Sequence, residues 1–468
     1  MAAKRRTLAD RRKAAGHTQE SLAALLGVER STVVRWEAGE TEPQPWCRPQ
    51  LAEALAVSLD ELHELLATRD DGLVQPPSDA LLLSGQGDLS AAQIGTLMVR
   101  FTAMNIASRR EVLQELTMMS GAALLQPVRR WLAHALTITP LVSPTAVNND
   151  GLDALERAIT LFSQWDASGI GRLHYKAVVG QLNSVAETLH EPHSPAVRER
   201  LFHITADLAQ LAGWMAYDQG LPAVAQRYYL LGLSACQEAR SPVLGAKILS
   251  DMAKLSTAYR HYEDSIDLVR TGLYILPRHD SSGVRTELLG VESRAHAHLG
   301  NQAAATRAAD TCVEAWQDAD SRVVPAWLCY MNQAEVDGLA SNCYIQLALR
   351  TEDASRAIAY AERAEWHTLS ARESRAHDFL RSRVLDEIRL AEARLAQRDL
   401  TESVAVAQSA LELAAPTCST LVCNSLLRLH VELTARYPRN AHVVPFSEQL
   451  RDYVKRAAPD KEGDLAVT

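Results

Sequence analysis

Four side chains close to the N-terminus combine types and spacing suited to reading a polyanion. Arg30, Ser31, Thr32 and Arg35 lie on the outer side of a short predicted helix whose inner positions are Val33 and Trp36. An arginine pairs two N–H groups with guanine O6 and N7, and hydroxyls donate or accept at base edges in a major groove about 12 Å wide. Ahead of them stands the arm Lys4-Arg5-Arg6, followed by Arg11, Arg12 and Lys13. Three consecutive cations on an arm are expected to find backbone phosphates, which positions a protein without specifying a sequence.

A second candidate group lies far along the chain, in the run PAWLCYMNQAEVDGLASNCYIQLAL. It joins Trp327 and Tyr330 to Asn332 and Asn342, with Gln333, Glu335 and Asp337 between them. An Asn amide offers both a donor and an acceptor to a peptide backbone. A ligand-binding role for these residues competes with a plain surface or dimer-contact helix.

No other cluster carries chemistry. The chain has no P-loop, no H-E-x-x-H and no G-x-S-x-G, and Gly169-Ile-Gly171 lacks the glycine and the strand of a dinucleotide fingerprint. The seven cysteines are scattered and form no C-x-x-C, which suits reduced thiols. His296 and His298 stand about 200° apart on a helix and cannot share a metal there. His190 and His193 flank a proline turn. The expectation is a protein that is not an enzyme, with no cofactor and no metal.

The charge distribution sharpens this. The 468 residues carry 48 Lys and Arg against 57 Asp and Glu, a net of −9, with 47% apolar and 22% charged residues. Residues 1–48 hold nine basic and six acidic side chains, a net of +3, so the remainder carries −12. A small basic module on a large acidic body results. Arginine outnumbers lysine 41 to seven, which codon bias in a GC-rich genome explains without any role in phosphate binding. The N-terminus has charges but no apolar h-region, and no window nears 18 uninterrupted apolar residues. Arg109-Arg110 before an apolar stretch imitates an export signal but lies too deep in the chain. A cytoplasmic protein with no membrane contact is expected.

The elements that must position the first group read as five short helices over residues 7–67. The first ends at Gly16. The second, QESLAALL, is capped by Thr18 and closed by Gly27, with Glu20 favourable at the positive end of its dipole. The third runs from near Glu29 to Gly39. The fourth spans about Pro45–Ala56, and a fifth opens with the capping box Ser58 and Glu61. Leu22, Leu26, Val28, Val33, Trp36, Leu51, Leu55, Val57 and Leu62 are its candidate core. Two short helices about a Gly-containing turn are helix-turn-helix geometry, with the second helix in the groove.

The run TQESLAALLGVERSTVVRWEAGETEPQP followed by LAEALAVSLDEL resembles the Xre-type, phage-repressor-like helix-turn-helix proteins over about 60 residues. The resemblance implies that Gln19 contacts a phosphate or supports a base contact, that Arg30, Ser31 and Thr32 open the recognition helix, and that Arg35 follows one turn on. It also implies an ion pair between Arg12 and Glu37 that locks helix orientation. Glu29 departs from the Ser or Thr usual in the family and brings a carboxylate near the DNA end of the helix.

Residues 70–90 cluster Pro, Gly, Ser and Asp and read as a linker. Beyond it everything reads as helix, giving an all-α chain. Residues 91–148 are expected to form a helical capping or dimerisation segment. From 149 to 457 the helices come in pairs, with breaks at Tyr217–Gly220, Tyr262–Asp264, Leu299–Asn301, Thr351–Asp353 and Asp399–Thr401, and the last residues, 458–468, form a tail. A period near 40 with Ala-bearing second helices marks an α-solenoid and resembles degenerate tetratricopeptide repeats. Tyr217, Tyr228, Tyr229, Tyr259 and Tyr262 are expected in its core.

The architecture resembles actinobacterial helix-turn-helix regulators with long tetratricopeptide-like bodies. That resemblance implies a homodimer on double-stranded DNA, with a peptide or small-molecule effector for the repeats. The alternative is a repeat-based protein-interaction scaffold in which DNA contact is secondary.

Overall fold

A computed structural model describes residues 8, 11–13, 15–37, 43, 47–55, 57, 62, 89–108, 113, 116–136, 150–167, 171–277, 281–317, 325–438 and 440–458. Two units emerge, Met1–Asp79 and Ala80–Thr468, and their boundary falls inside the expected 70–90 linker. Among the described residues every regular element is helical, so the protein is all-α.

In the first unit, α1 spans Gln19–Leu26, α2 Arg30–Glu37 and α3 Arg48–Ala54. Thr18 Oγ1 accepts from the Ser21 amide at 3.0 Å while Ser21 Oγ accepts from the Thr18 amide at 2.9 Å, so two orphan donors are satisfied reciprocally. Gly27 stops α1 at φ 66, a left-handed position that costs glycine least. The fourth predicted helix starts later than Pro45: Cys47 is its N-cap and Pro49 stands in its first turn, where no backbone donor is lost. Leu8, Leu22, Leu26, Val33, Trp36, Leu51, Leu55 and Leu62 close into one core, with Val28 and Val57 packed against it. The Ser58–Glu61 capping box and the 459–468 tail lie outside the described residues.

In the second unit, α4 (Ala91–Ala107) and α5 (Ala122–Ala135) precede α6 (Asp150–Ala167) and α7 (Gly171–Thr188). Six helix pairs then follow: α8 (Pro195–Asp218) with α9 (Pro222–Glu238), α10 (Pro242–Ala258) with α11 (Tyr262–Ile275), α12 (Ser282–His298) with α13 (Gln302–Gln317). The chain continues with α14 (Gln333–Arg350) and α15 (Ala354–Ser374), α16 (Leu380–Ala396) and α17 (Leu400–Ala414), α18 (Thr420–Arg436) and α19 (Val443–Ala457). Partners within each pair pack along one another, and the first helix of each pair also packs on the first helix of the next. This is solenoid packing, which sequential hairpins of similar length produce when each buries its apolar face on its neighbour. The small residues of the second helices sit at the contacts: Ala305, Ala308 and Ala309 in α13, Ala361, Ala364 and Ala371 in α15, Ala407 and Ala410 in α17.

The array does not stay open. α8 of the first pair also touches α18 of the last. Arg381 Nη1 donates to Asp218 at 3.1 Å and its Nη2 to Asp166 at 2.7 Å, while Ser419 Oγ donates to Asp218 at 2.5 Å. The first helices of the six pairs therefore form a closed circuit, which we call the inner helices. The expected 91–148 segment lies against the early pairs: α4 packs on α7 and α9, and α5 on α9 and α11. The indole of Trp131 occupies the place a Cβ on Gly245 would take, so glycine there permits the contact.

Tyr217, Tyr228 and Tyr229 are core, as expected, but Tyr259 is 38% exposed and Tyr262 is half-buried, stacked on His298. Both stand at the turn between α10 and α11, where the chain reverses at the surface. Among the described residues, no helix is long and apolar enough to cross a membrane.

Candidate nucleic-acid interface

The orientation of α2 is fixed from behind. Arg12 is buried and holds the Glu37 carboxylate at 2.6 Å through Nε, while its Nη1 donates to the His17 carbonyl at 2.7 Å. Charge-assisted pairs of this geometry are short and directional. Gln19 Nε2 donates to the other Glu37 oxygen at 2.7 Å, so Arg12, Gln19 and Glu37 tie α1, α2 and the preceding helical stretch together. Arg11 Nε adds a bond to the Leu55 carbonyl at 3.0 Å. The ion pair expected between Arg12 and Glu37 is present.

The opposite face of α2 is open. Glu29, Arg30, Ser31, Val34 and Arg35 line one shallow surface concavity. Arg30 is drawn toward α1, with Nε 2.6 Å from Glu20 and Nη2 3.4 Å from Gln19 Oε1. Both partners of the Arg30–Glu20 pair are about 60% exposed, so it contributes little to stability and yields readily to a phosphate. Glu20 is held below the ordinary carboxylate range, first by backbone hydrogen bonding at the helix start and then by Arg30. Ser31 Oγ points to Glu29 at 3.3 Å, and Arg35 Nε rests on the Ser31 carbonyl at 3.4 Å. Thr32 is half-buried beside them. Lys4, Arg5 and Arg6 lie outside the described residues.

Val34 joins this face as a residue that the polar pattern of the helix does not single out. It is 38% exposed in the middle of the concavity, an apolar surface of the kind that contacts a thymine methyl. Its spacing of three and four residues from Ser31 and Arg30 was the available signal.

The four candidate ligand residues of the second unit do not stand together on one helix. The segment begins as a 3-10 turn, Ala326–Leu328, and α14 starts only at Gln333. Asn332 is its N-cap, with Oδ1 accepting from the Glu335 amide at 3.1 Å, so that side chain serves the helix end. Tyr330 donates to Glu287 at 2.7 Å and lies under the ammonium groups of Lys247 and Lys254. Trp327 packs half-buried against the core. Asn342 accepts from Arg389 at 3.2 Å on the inner face. Of the four, Tyr330 and Asn342 lie in a charged lining of the inner helices.

That lining follows the register of the inner helices. Burial pushes the Glu287 carboxyl up, yet Lys247 and Lys254 more than reverse it and hold it at about 2. Lys247 pairs with Asp251 at 2.6 Å, and Gln210 completes Asp251 at 2.6 Å. Arg375 holds Asp386 at 2.5 Å and Glu335 at 3.1 Å. Among the described residues no three His, Cys, Asp or Glu side chains gather as metal ligands.

Such a fold, a helix-turn-helix head with a helical-repeat body, defines the class. Residues 5–65 match the family model of the helix-turn-helix domain, the mark of a DNA-binding regulator. No curated protein and no solved structure matches the chain.

Proposed function

We propose that the chain is a sequence-specific transcriptional regulator of the Xre type. The observation that carries it is the exposed α2 face, Arg30, Ser31, Val34 and Arg35, locked from behind by the buried Arg12–Glu37 pair within a region that matches a helix-turn-helix domain. Arg35 and Ser31 read base edges, Thr32 and Arg30 contact the groove wall, Gln19 orders the first turn of α1 at a phosphate, and the Lys4-Arg5-Arg6 arm follows the backbone. Arg30 exchanges Glu20 for a phosphate oxygen on binding. The repeats are degenerate tetratricopeptide pairs that hold two copies with recognition helices about 34 Å apart, one turn of the duplex. An effector on the repeats shifts DNA affinity by its differential affinity for two spacings.

Titrating the full chain onto its operator across a salt series tests this. The expected result is two chains per operator and a log–log slope near −0.9 for each phosphate neutralised. A flat salt dependence would overturn the DNA assignment and leave the scaffold reading.

A further inference from the structure

The inner helices share a register, fixed by the left-handed residue that ends four of them. Gly220, Arg260, Gly300 and Arg398 all have φ between 66 and 76, and the first three are spaced 40 residues apart. Six residues before each stands the equivalent inner position: Trp214, Lys254, Arg294 and Glu392. In the early repeats this position is satisfied. The Lys254 ammonium lies 5.3 Å from the Trp214 ring centre and pairs with Glu287.

In the later repeats it is not. Arg294 Nε is buried without a hydrogen-bond partner, and its guanidinium forms no ion pair with any described residue. Glu392, 6% exposed, makes neither a hydrogen bond nor an ion pair with any described residue. Arg428 on α18 bonds only Ser425 of its own helix, at 3.1 Å. Arg428 is exposed, whereas Tyr217 on α8 is buried. These four groups come from α8, α12, α16 and α18 and act on one another electrostatically. The half-buried Arg294 and the buried Glu392 carboxylate lie within electrostatic range of each other yet form no ion pair. Leaving a buried donor and a buried carboxylate unpaired is expensive, and two such groups of opposite charge on neighbouring inner helices mark a place for something else.

The local charge selects the occupant. Arg389 is already committed to Asp386 at 2.5 Å and to Asn342, and the neighbouring Glu432 to Arg436, whereas Arg294, Arg428 and Glu392 form no ion pair with any described residue. Burial and then Arg428 push the Arg294 guanidinium down to about 10. Beside it His298 is pushed to about 2, by burial and then by Arg294, Arg350, Arg428 and Arg260, so the imidazole is neutral and cannot act as a counter-ion. Two uncompensated cations on one carboxylate leave the site net positive.

We propose that this end of the closed circuit binds a small organic anion, its carboxylate or phosphate group between Arg294 and Arg428, with Glu392 and Tyr217 meeting a hydrogen-bonding group of the same molecule. Planar guanidinium forks match either oxyanion. The inference gives the effector proposed above its chemical class and rests on that reading for its biological meaning alone.

Calorimetric titration of the full chain, without DNA, tests it with two probes. One is inorganic phosphate, the other the tripeptide Ala-Ala-Ala with a free C-terminal carboxylate, compared with its C-terminal amide. Saturable binding of either anion at a Kd of about 1 mM or tighter is expected, weakened at least tenfold in Arg294→Gln and in Arg428→Gln and unchanged in Arg436→Gln, whose side chain is paired with Glu432 on the surface. Binding of phosphate alone assigns the phosphate source, and binding of the free tripeptide but not its amide assigns the carboxylate. Binding of neither anion, or equal binding by wild type and both variants, overturns the proposal. Without anion, Arg294→Gln is expected to melt no lower than wild type; a clear fall would show that Arg294 has a structural partner and would also overturn it. Anion binding that leaves operator affinity unchanged would keep the site and remove only the switch.

Discussion

The two units place their charge on opposite sides. The N-terminal unit packs an apolar core, buries Arg12 against Glu37, and leaves Arg30, Ser31 and Arg35 at the surface. The repeat unit does the reverse: Lys247, Asp251, Glu287, Arg375, Arg381 and Asp386 lie inside and pair with buried partners, within one helix and between helices. Surface cations are free to exchange partners, which a polyanion-reading face requires. Buried pairs are costly to desolvate, but once formed they tolerate no loss of a partner. Net charge alone, +3 over residues 1–48 and −12 over the rest of the chain, reports neither arrangement.

Arg381→Ala should show the largest effect. It strands the Asp166 and Asp218 carboxylates in the interior and is expected to cost about 3–5 kcal/mol in urea unfolding followed by circular dichroism. An unchanged midpoint would mean that the inner charges do not hold the circuit together. Asp207→Asn should act in the other direction. Burial, reinforced by Glu156 and opposed by Lys247, pushes the Asp207 carboxyl up to about 7, and its Oδ1 is buried with no partner. A carboxyl raised on folding gives stability that is complete below its unfolded value near pH 4 and is lost as pH rises through about 7. Asparagine removes that loss, so the variant should be more stable than wild type by about 2–4 kcal/mol at pH 8 and about equal to it at pH 4. Equal stability at both pH values would place the Asp207 charge in contact with water.

On the head, Arg35→Ala is expected to leave the fold intact and weaken operator binding by about 1–3 kcal/mol in a fluorescence titration, since its side chain is outside the core. Unaltered affinity would remove Arg35 from the reading set. The smallest difference concerns turns. The head uses glycine at its left-handed positions, Gly16 and Gly27, whereas the body also uses Arg260 and Arg398 at φ 66 and 68. Arg398→Gly should relieve backbone strain and raise stability by up to about 1 kcal/mol, with no such gain available in the head. A loss on thermal melting would show that the Arg398 side chain contributes more than its backbone costs.

Much of this was legible from residue types. Thr18, Gly27 and the alternation of Leu22, Leu26, Val33 and Trp36 specify α1, its stop and the core, because caps and helical periodicity act locally. The turns after Asp218 and His298 were visible in Gly220 and Gly300. The turn after Ala258 was placed late because Arg260, not glycine, takes the left-handed conformation there. Asn332 was legible as a polar residue but not as a cap, since the 3-10 turn before it replaces an expected helical start. The charged lining was invisible for a different reason. Lys254, Arg294 and Glu392 look like residues of solvated faces until the circuit closes over them, and closure depends on contacts such as Asp218 with Ser419, some 200 positions apart.

That contact also changes how the body comes apart. An open stack of repeats frays from its ends, each terminal pair peeling away at the expense of one interface. Here the first pair is stapled to the last, so neither end can leave without breaking a second boundary. Local opening is suppressed at the termini of the array, and loss of structure becomes a single collective event rather than a stepwise unzipping.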